Sequence, residues 1–195
     1  VERPWGRLPT TKSLSYVSAV AVDSHGHVYL SQRSDPPIVV FDRDGAFVGA
    51  WGSGAIVDPH GIYVDPDDHV WVVDRDAHQI VKFDARGEIC LTLGQRHSAR
   101  FQKPFNHPAG VAVDADGDVY VADGYGNSMV HRFSRTGEWK TSWGVPGDGP
   151  GEFSTPHAVR VDKNGHVLIC DRENNRLQFF STAGEYIGEW SDLYH

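Results

Sequence analysis

Two histidines, His60 and His157, stand in matching phrases, Asp58-Pro59-His60-Gly61-Ile62 and Thr155-Pro156-His157-Ala158-Val159. Each lies five positions before an aspartate, Asp65 or Asp162, and Ser18 and Ala109 hold the same place before Asp23 and Asp114. Imidazoles in one register suit a transition metal, because neutral imidazole nitrogen ligates several of them. The alternative is that both rings only hydrogen-bond neighbouring backbone. A second column reads Gln32-Arg33, Asp74-Arg75, Asp123-Gly124-Tyr125 and Asp171-Arg172. Arginine grips a carboxylate through paired hydrogen bonds, so Arg33 and Arg172 are candidates for holding an acidic substrate. Arg75 is expected to pair with Asp76 or another acid. Tyr125, between Gly124 and Gly126, has no bulky chain neighbour and can reach into a pocket. There it could serve as a general base if positive charge stands beside it. The aspartates of this column read as turn residues that satisfy backbone donors in the turn that follows.

The remaining histidines are assigned no chemistry. His25, His27, His69, His97, His107, His131 and His166 are expected in turns or on outward strand positions, and His78 in a turn. Cys90 and Cys170 are too far apart in the chain for a metal-binding pair and read as core or strand residues.

What must position these columns is a repeat. Asp23, Asp65, Asp114 and Asp162 recur at intervals of 42, 49 and 48 residues. After each comes a turn and an alternating segment, such as Gly26-His27-Val28-Tyr29-Leu30 or Asp68-His69-Val70-Trp71-Val72. Period-two alternation between Asp and Gly turns means strands in tight antiparallel meanders. A third strand follows in every copy (Ile38 to Phe41, Ile80 to Phe83, Met129 to Phe133, Leu177 to Phe180), then a fourth (Phe47 to Trp51, Ile89 to Leu93, Trp139 to Trp143, Tyr186 to Trp190). Four short strands per copy make the blade of an all-β propeller. A lead-in over 1–16 precedes blades at about 17–54, 58–105, 106–154 and 155–195.

The chain has 195 residues and a formal net charge of −8, with Lys and Arg scattered, which opposes nucleic-acid binding. No apolar run approaches the roughly 20 residues of a membrane helix. The start, Val1-Glu2-Arg3-Pro4-Trp5, has no apolar signal segment, so localisation stays open, a secreted or periplasmic address included.

The four copies resemble NHL repeats. An NHL propeller ordinarily has six blades, so the resemblance implies that these four are part of a six-bladed ring, closed by further blades or by self-association. Alternate blades then stand about 120° apart, and a third histidine beyond His195 would complete a zinc-like cluster with an open position.

More specific phrases narrow the resemblance. They are Asp58-Pro59-His60-Gly61-Ile62, Trp71-Val72-Val73-Asp74, Asp123-Gly124-Tyr125-Gly126-Asn127-Ser128 and Asp171-Arg172-Glu173-Asn174-Asn175-Arg176-Leu177-Gln178. Together these are similar to the catalytic core of peptidyl-α-hydroxyglycine α-amidating lyases, which split an acyl- or peptidyl-α-hydroxyglycine into an amide and glyoxylate. The resemblance implies zinc on His60 and His157, Tyr125 as catalytic base, and Arg33 and Arg172 at the substrate carboxylate. It also implies a structural calcium partly held by the backbone carbonyls of Val20 and Ile62. Two alternatives remain: a non-enzymatic NHL interaction module, whose binding would map to the long loops Gln95 to Phe105 or Val145 to Phe153, and another metal-dependent propeller enzyme.

Overall fold

In the computed structural model, which describes residues 5–10 and 13–191, each copy of the repeat is a four-stranded antiparallel meander with its strands in chain order. The first sheet is β1 (Val17–Val22), β2 (Val28–Gln32), β3 (Ile38–Phe41) and β4 (Phe47–Trp51). The second is β5 (Pro59–Val64), β6 (Val70–Asp74), β7 (Gln79–Phe83) and β8 (Ile89–Gly94). The third is β9 (Gly110–Val113), β10 (Val119–Asp123), β11 (Met129–Phe133) and β12 (Trp139–Trp143). A two-residue parallel pair, β13 (Val145–Pro146) with β14 (Glu152–Phe153), closes the connector to the last sheet. That sheet is β15 (Pro156–Val161), β16 (Val167–Asp171), β17 (Arg176–Phe180) and β18 (Tyr186–Trp190). A single 3₁₀ turn, Arg172–Asn174, follows β16.

The recurring aspartate builds the first hairpin of every sheet. One carboxylate oxygen of Asp23 accepts the backbone N–H of His25 and His27, and Asp65, Asp114 and Asp162 repeat the arrangement two and four residues on. Such a side chain mimics the backbone of a turn and fixes the hairpin register. In the first three sheets the other oxygen also accepts a hydrogen bond from an aromatic side chain of the next strand, Tyr29, Trp71 or Tyr120. Asp65, Asp67 and His69 are gathered by this same device.

Alternation on the middle strands feeds apolar side chains to both faces. On β6, Val70 and Val72 pack with Tyr29, Ile38 and Val40 of the first sheet, while Trp71 and Val73 pack with Val111, Val119 and Phe133 of the third. Ala112, Tyr120 and Ala122 of the third sheet meet Val159, Val167 and Ile169 of the last. Each fully buried Val, Ile or Phe contributes about 1.5–3 kcal/mol, so these seams between sheets hold the blades together. The inner strands β1, β5, β9 and β15 lie side by side in that order. The far face of the first sheet is partly covered by the lead-in, where Trp5 packs on Phe41 with ring centres 5.5 Å apart. Of the lead-in over 1–16, residues 1–4 and 11–12 lie outside the described residues, as does the stretch 192–195 of the last blade.

Candidate active site

The inner strands carry an irregularity where the chemistry was expected. Between Pro59 and Gly61 on β5, and between Pro156 and Ala158 on β15, the ladder to the next strand slips by one residue, so His60 and His157 have no cross-strand partner. Ser18 on β1 is skipped in the same way. A bulge frees one residue from the pleat and re-aims its side chain. This is why the column of Ser18, His60 and His157 differs from the packed residues around it.

The two imidazoles converge. Their ring centres lie 4.9 Å apart with planes nearly perpendicular. Between them stands the Tyr125 hydroxyl, 2.9 Å from His60 Nε2 and 3.0 Å from His157 Nε2. His60 Nδ1 is 2.9 Å from the carbonyl oxygen of Ala109. A carbonyl only accepts, so Nδ1 carries the proton; in the neutral ring, Nε2 then presents its lone pair to the tyrosine hydroxyl. Burial holds His60 below the usual imidazole range, and the Arg75 and Arg33 charges add to the effect. Burial likewise drives His157 down to about 4, helped by His60 and Arg172. Both rings are therefore neutral at pH 7.

The guanidinium groups surround this centre. Arg172 donates from Nη1 to the Tyr125 oxygen at 3.3 Å and lies 5.2 Å from the ring centre. Arg75 lies 5.6 Å from the same ring. It pairs with Asp76 through Nε at 2.8 Å, as expected, and also with Asp58 at 2.7 Å. Arg33 pairs with the other oxygen of Asp58 at 2.9 Å. It lines a cavity of about 230 Å³ with Tyr16, Val17, Ser18 and His60. The structure thus brings His60, His157, Tyr125, Arg172 and Arg33 to one place, and Arg75 belongs with them although only an ion pair was expected of it.

The glycines beside Tyr125 act differently from the expectation. A β-carbon on Gly124 would overlap the backbone of Pro156, and one on Gly126 would overlap the Asn106 side chain. Gly124 allows close approach to the next blade and Gly126 to the connector of its own blade; neither serves free swing of the ring. The column aspartates also reach elsewhere: Asp74, Asp123 and Asp171 accept N–H groups from the connector before their own sheet, namely those of Val57 and Asp58, Asn106, and Ser154. Each ties the entry of the inner strand to the end of the second strand.

His131 departs from its expected outward position. It is fully buried, 3.2 Å from Asp123 and 2.6 Å from the Ser142 hydroxyl. Gln178, at the matching place on β17, bonds Asp171 in the same manner, which makes His131 part of the blade's framework. His78 sits in a turn with a left-handed backbone and accepts the His107 N–H. Cys90 and Cys170 are free thiols on β8 and β16, and Cys90 is exposed, not part of the core.

The donor set fits a metal in part. The two Nε2 atoms converge on one point, and the backbone carbonyl on His60 Nδ1 is the outer hydrogen bond that orients a ligating imidazole. Among the described residues, no third His, Cys, Asp or Glu joins His60 and His157 in a ligand cluster. Val20 and Ile62 lie on neighbouring inner strands. Calcium takes about six to eight oxygens, and among the described residues no acidic cluster accompanies these two carbonyls, so alone they do not make a calcium site.

Comparison with known proteins agrees with this architecture. The family model described as the NHL repeat matches residues 57–83, 105–133 and 153–180. Human NHL repeat-containing protein 3 is 34% identical over 191 residues, covering 90% of this chain and 55% of its own length. A probable peptidyl-α-hydroxyglycine α-amidating lyase of Caenorhabditis elegans is 28% identical over 206 residues, covering 91% of this chain and 59% of its own length. The chain therefore spans little more than half of these relatives. Among solved structures, a streptogramin B lyase superposes with a TM-score of 0.71 at 15% identity, covering 91% of this chain and 55% of that one, which shows a shared β-propeller fold.

Proposed function

The chain is an NHL-repeat protein similar in sequence to peptidyl-α-hydroxyglycine α-amidating lyases, and from that premise we propose that its axial site cleaves acyl- or peptidyl-α-hydroxyglycine to an amide and glyoxylate. The observation that supports this reading is the Tyr125 hydroxyl held between His60 Nε2 and His157 Nε2, with Arg172 beside its oxygen.

In this reading Tyr125, acting in its phenolate form, takes the proton of the substrate's α-hydroxyl and becomes the neutral phenol. The oxygen's electron pair closes the aldehyde of glyoxylate, the carbon–nitrogen bond breaks, and Tyr125 returns the proton to the departing amide nitrogen. Arg172 Nη1, 3.3 Å from the phenolic oxygen, offsets negative charge there while the proton is away. Arg33 and Arg172 orient the substrate carboxylate, which fixes the hydroxyl toward Tyr125. His60 and His157, neutral through burial, would hold a zinc ion by their Nε2 atoms in place of their hydrogen bonds to the Tyr125 hydroxyl, and zinc would supply Lewis acidity toward the substrate hydroxyl. Closure of the propeller by further blades or a second chain would supply the remaining ligand.

The test is glyoxylate release from benzoyl-α-hydroxyglycine by the full chain with added zinc. Release that Tyr125→Phe suppresses by about 10²-fold or more is the expected result, in line with the loss of a general base. No release at any zinc concentration would overturn the lyase reading and favour an NHL interaction module.

A further inference from the structure

On the outer flank of the third sheet, a cavity of about 680 Å³ lies between the 95–105 loop and the outer strand β12. Arg100, Lys103 and Pro104 form one wall, and Met129, Trp139 and Ser142 the other. Volumes of about 300–1,000 Å³ are typical of ligand sites. The cavity shares no lining residue with the axial centre of His60, Tyr125, His157, Arg33 and Arg172. We propose that it binds a flat aromatic anion, with the ring against Trp139 and the carboxylate or sulfonate on Arg100 and Lys103. The proposal stands apart from the lyase reading.

Both walls are tied to one buried group. Trp139 is 60% exposed, yet its indole Nε1 donates to Ser142 Oγ at 2.9 Å. Ser142 Oγ lies 2.6 Å from His131 Nδ1, and His131 Nε2 donates to Asp123 at 3.2 Å, with both His131 and Asp123 fully buried. An exposed indole is thus held in one orientation by a relay that ends in the core. The loop side is clamped by Asn127, whose Oδ1 accepts the Gln102 N–H at 2.8 Å. Its Nδ2 donates to the Arg100 carbonyl at 3.0 Å and to the same Asp123 at 2.7 Å. Walls fixed before a ligand arrives lose little freedom on binding, which favours a rigid planar guest.

Charge selects the guest. The lining holds two cations and no Asp or Glu, in a chain whose net charge is −8. Among the described residues neither Arg100 nor Lys103 makes a salt bridge, and the Arg100 guanidinium donates to the neutral Gln95 side chain at 2.6 Å. A guanidinium and an ammonium without acidic partners are ready donors for an anion. The indole face of Trp139 and the thioether of Met129 suit an aromatic ring. An inorganic anion would leave that apolar surface uncovered.

The test is fluorescence titration of the full chain with anilinonaphthalene sulfonate and with its uncharged analogue phenylnaphthylamine, a readout that involves no turnover. The sulfonate is expected to fill one tight site per chain, at least about tenfold tighter than the amine, since it alone meets the two cations. Arg100→Gln and Lys103→Gln should each weaken the sulfonate by roughly 3–10-fold and leave the amine unchanged, whereas Trp139→Ala should weaken both. All three side chains are exposed, so the fold is expected to survive their loss. Naphthoate should displace the bound sulfonate, and decanoate, an anion without a ring, should not. Equal affinities for the two probes, or sulfonate binding unmoved by the three substitutions, would overturn the proposal. Displacement by decanoate as effective as by naphthoate would overturn the assignment of an aromatic guest.

Discussion

Gly124→Ala is the sharpest test of how the fold places the site. A methyl group there would overlap the carbonyl oxygen of Pro156 and lie 2.7 Å from its carbon and 2.8 Å from its nitrogen. All three are backbone atoms of β15, and Pro156 is paired with Asp171 in the ladder, so none can swing aside as a side-chain tip would. Overpacking costs about 1–3 kcal/mol, and a backbone neighbour puts this case near about 3 kcal/mol. Relief requires the Gly124–Gly126 segment to withdraw from β15 by about an ångström, which separates the Tyr125 hydroxyl from His157. Misplacement of that size is worth about 10²-fold in rate. The assay is a urea transition read by tryptophan fluorescence, paired with glyoxylate release. Gly49→Ala is the control, since a methyl there meets no atom within 4 Å and the backbone is not left-handed. It should stay within about 0.5 kcal/mol of the wild type. A Gly124→Ala protein as stable as the Gly49→Ala protein, with unchanged activity, would refute the close-packing argument.

Arg176 is 6% exposed and joins Asp171, Glu189 and the carbonyls of Gly149 and Glu152. Arg176→Met should cost about 3–5 kcal/mol in urea unfolding, because Asp171 loses its buried counter-charge; a loss under about 1 kcal/mol would contradict that network. His157 and His60 have folded-state values below those of the unfolded chain, so the unfolded state binds protons that the native state refuses, for His157 between about pH 6.5 and 4. Stability should fall as the pH drops through that window. At about 1.4 kcal/mol per unit, discounted for partial exposure, the loss from His157 is on the order of 1–2 kcal/mol, and His60 adds to it in the same direction. His157→Asn should flatten the slope of urea midpoint against pH, and an unchanged slope would count against buried neutral rings. Arg172→Ala should lower turnover of benzoyl-α-hydroxyglycine by about 10²–10³-fold, as loss of a charge-stabilising donor does. A change under threefold would remove Arg172 from the site.

The repeat was legible because each blade solves the same local problem with the same residues. Asp65 fixes its hairpin through contacts two and four residues away, a range that sequence spacing encodes directly. The histidine column was legible for a related reason. Because the bulge recurs on β1, β5 and β15, counting back from the aspartate lands on the freed residue each time. Arg75 was undervalued because its partners Asp58 and Tyr125 lie in connecting segments remote from it in the chain, and nothing adjacent announces them. The buried state of His131 was hidden for the opposite reason: alternation placed it on a strand face, but both faces of these sheets are buried. A period of two separates the faces of a strand without telling which one meets water.

The catalytic candidates are distributed so that no blade can form the site alone. His60 comes from the second sheet, Tyr125 from the loop after β10 of the third, and His157 and Arg172 from the fourth. Even the tautomer of His60 is set across a seam, by the carbonyl of Ala109. The seams are closed by two packed clusters, one holding Val73 and Val111 and the other Ala122 and Ile169, which tolerate little change in volume. A shift at either seam therefore moves the tyrosine hydroxyl relative to one imidazole while leaving every hairpin intact. Damage to the site can then precede unfolding. Substitutions at the seams should change reaction rate before they change secondary structure, whereas substitutions at the aspartate turns should destabilise single blades first.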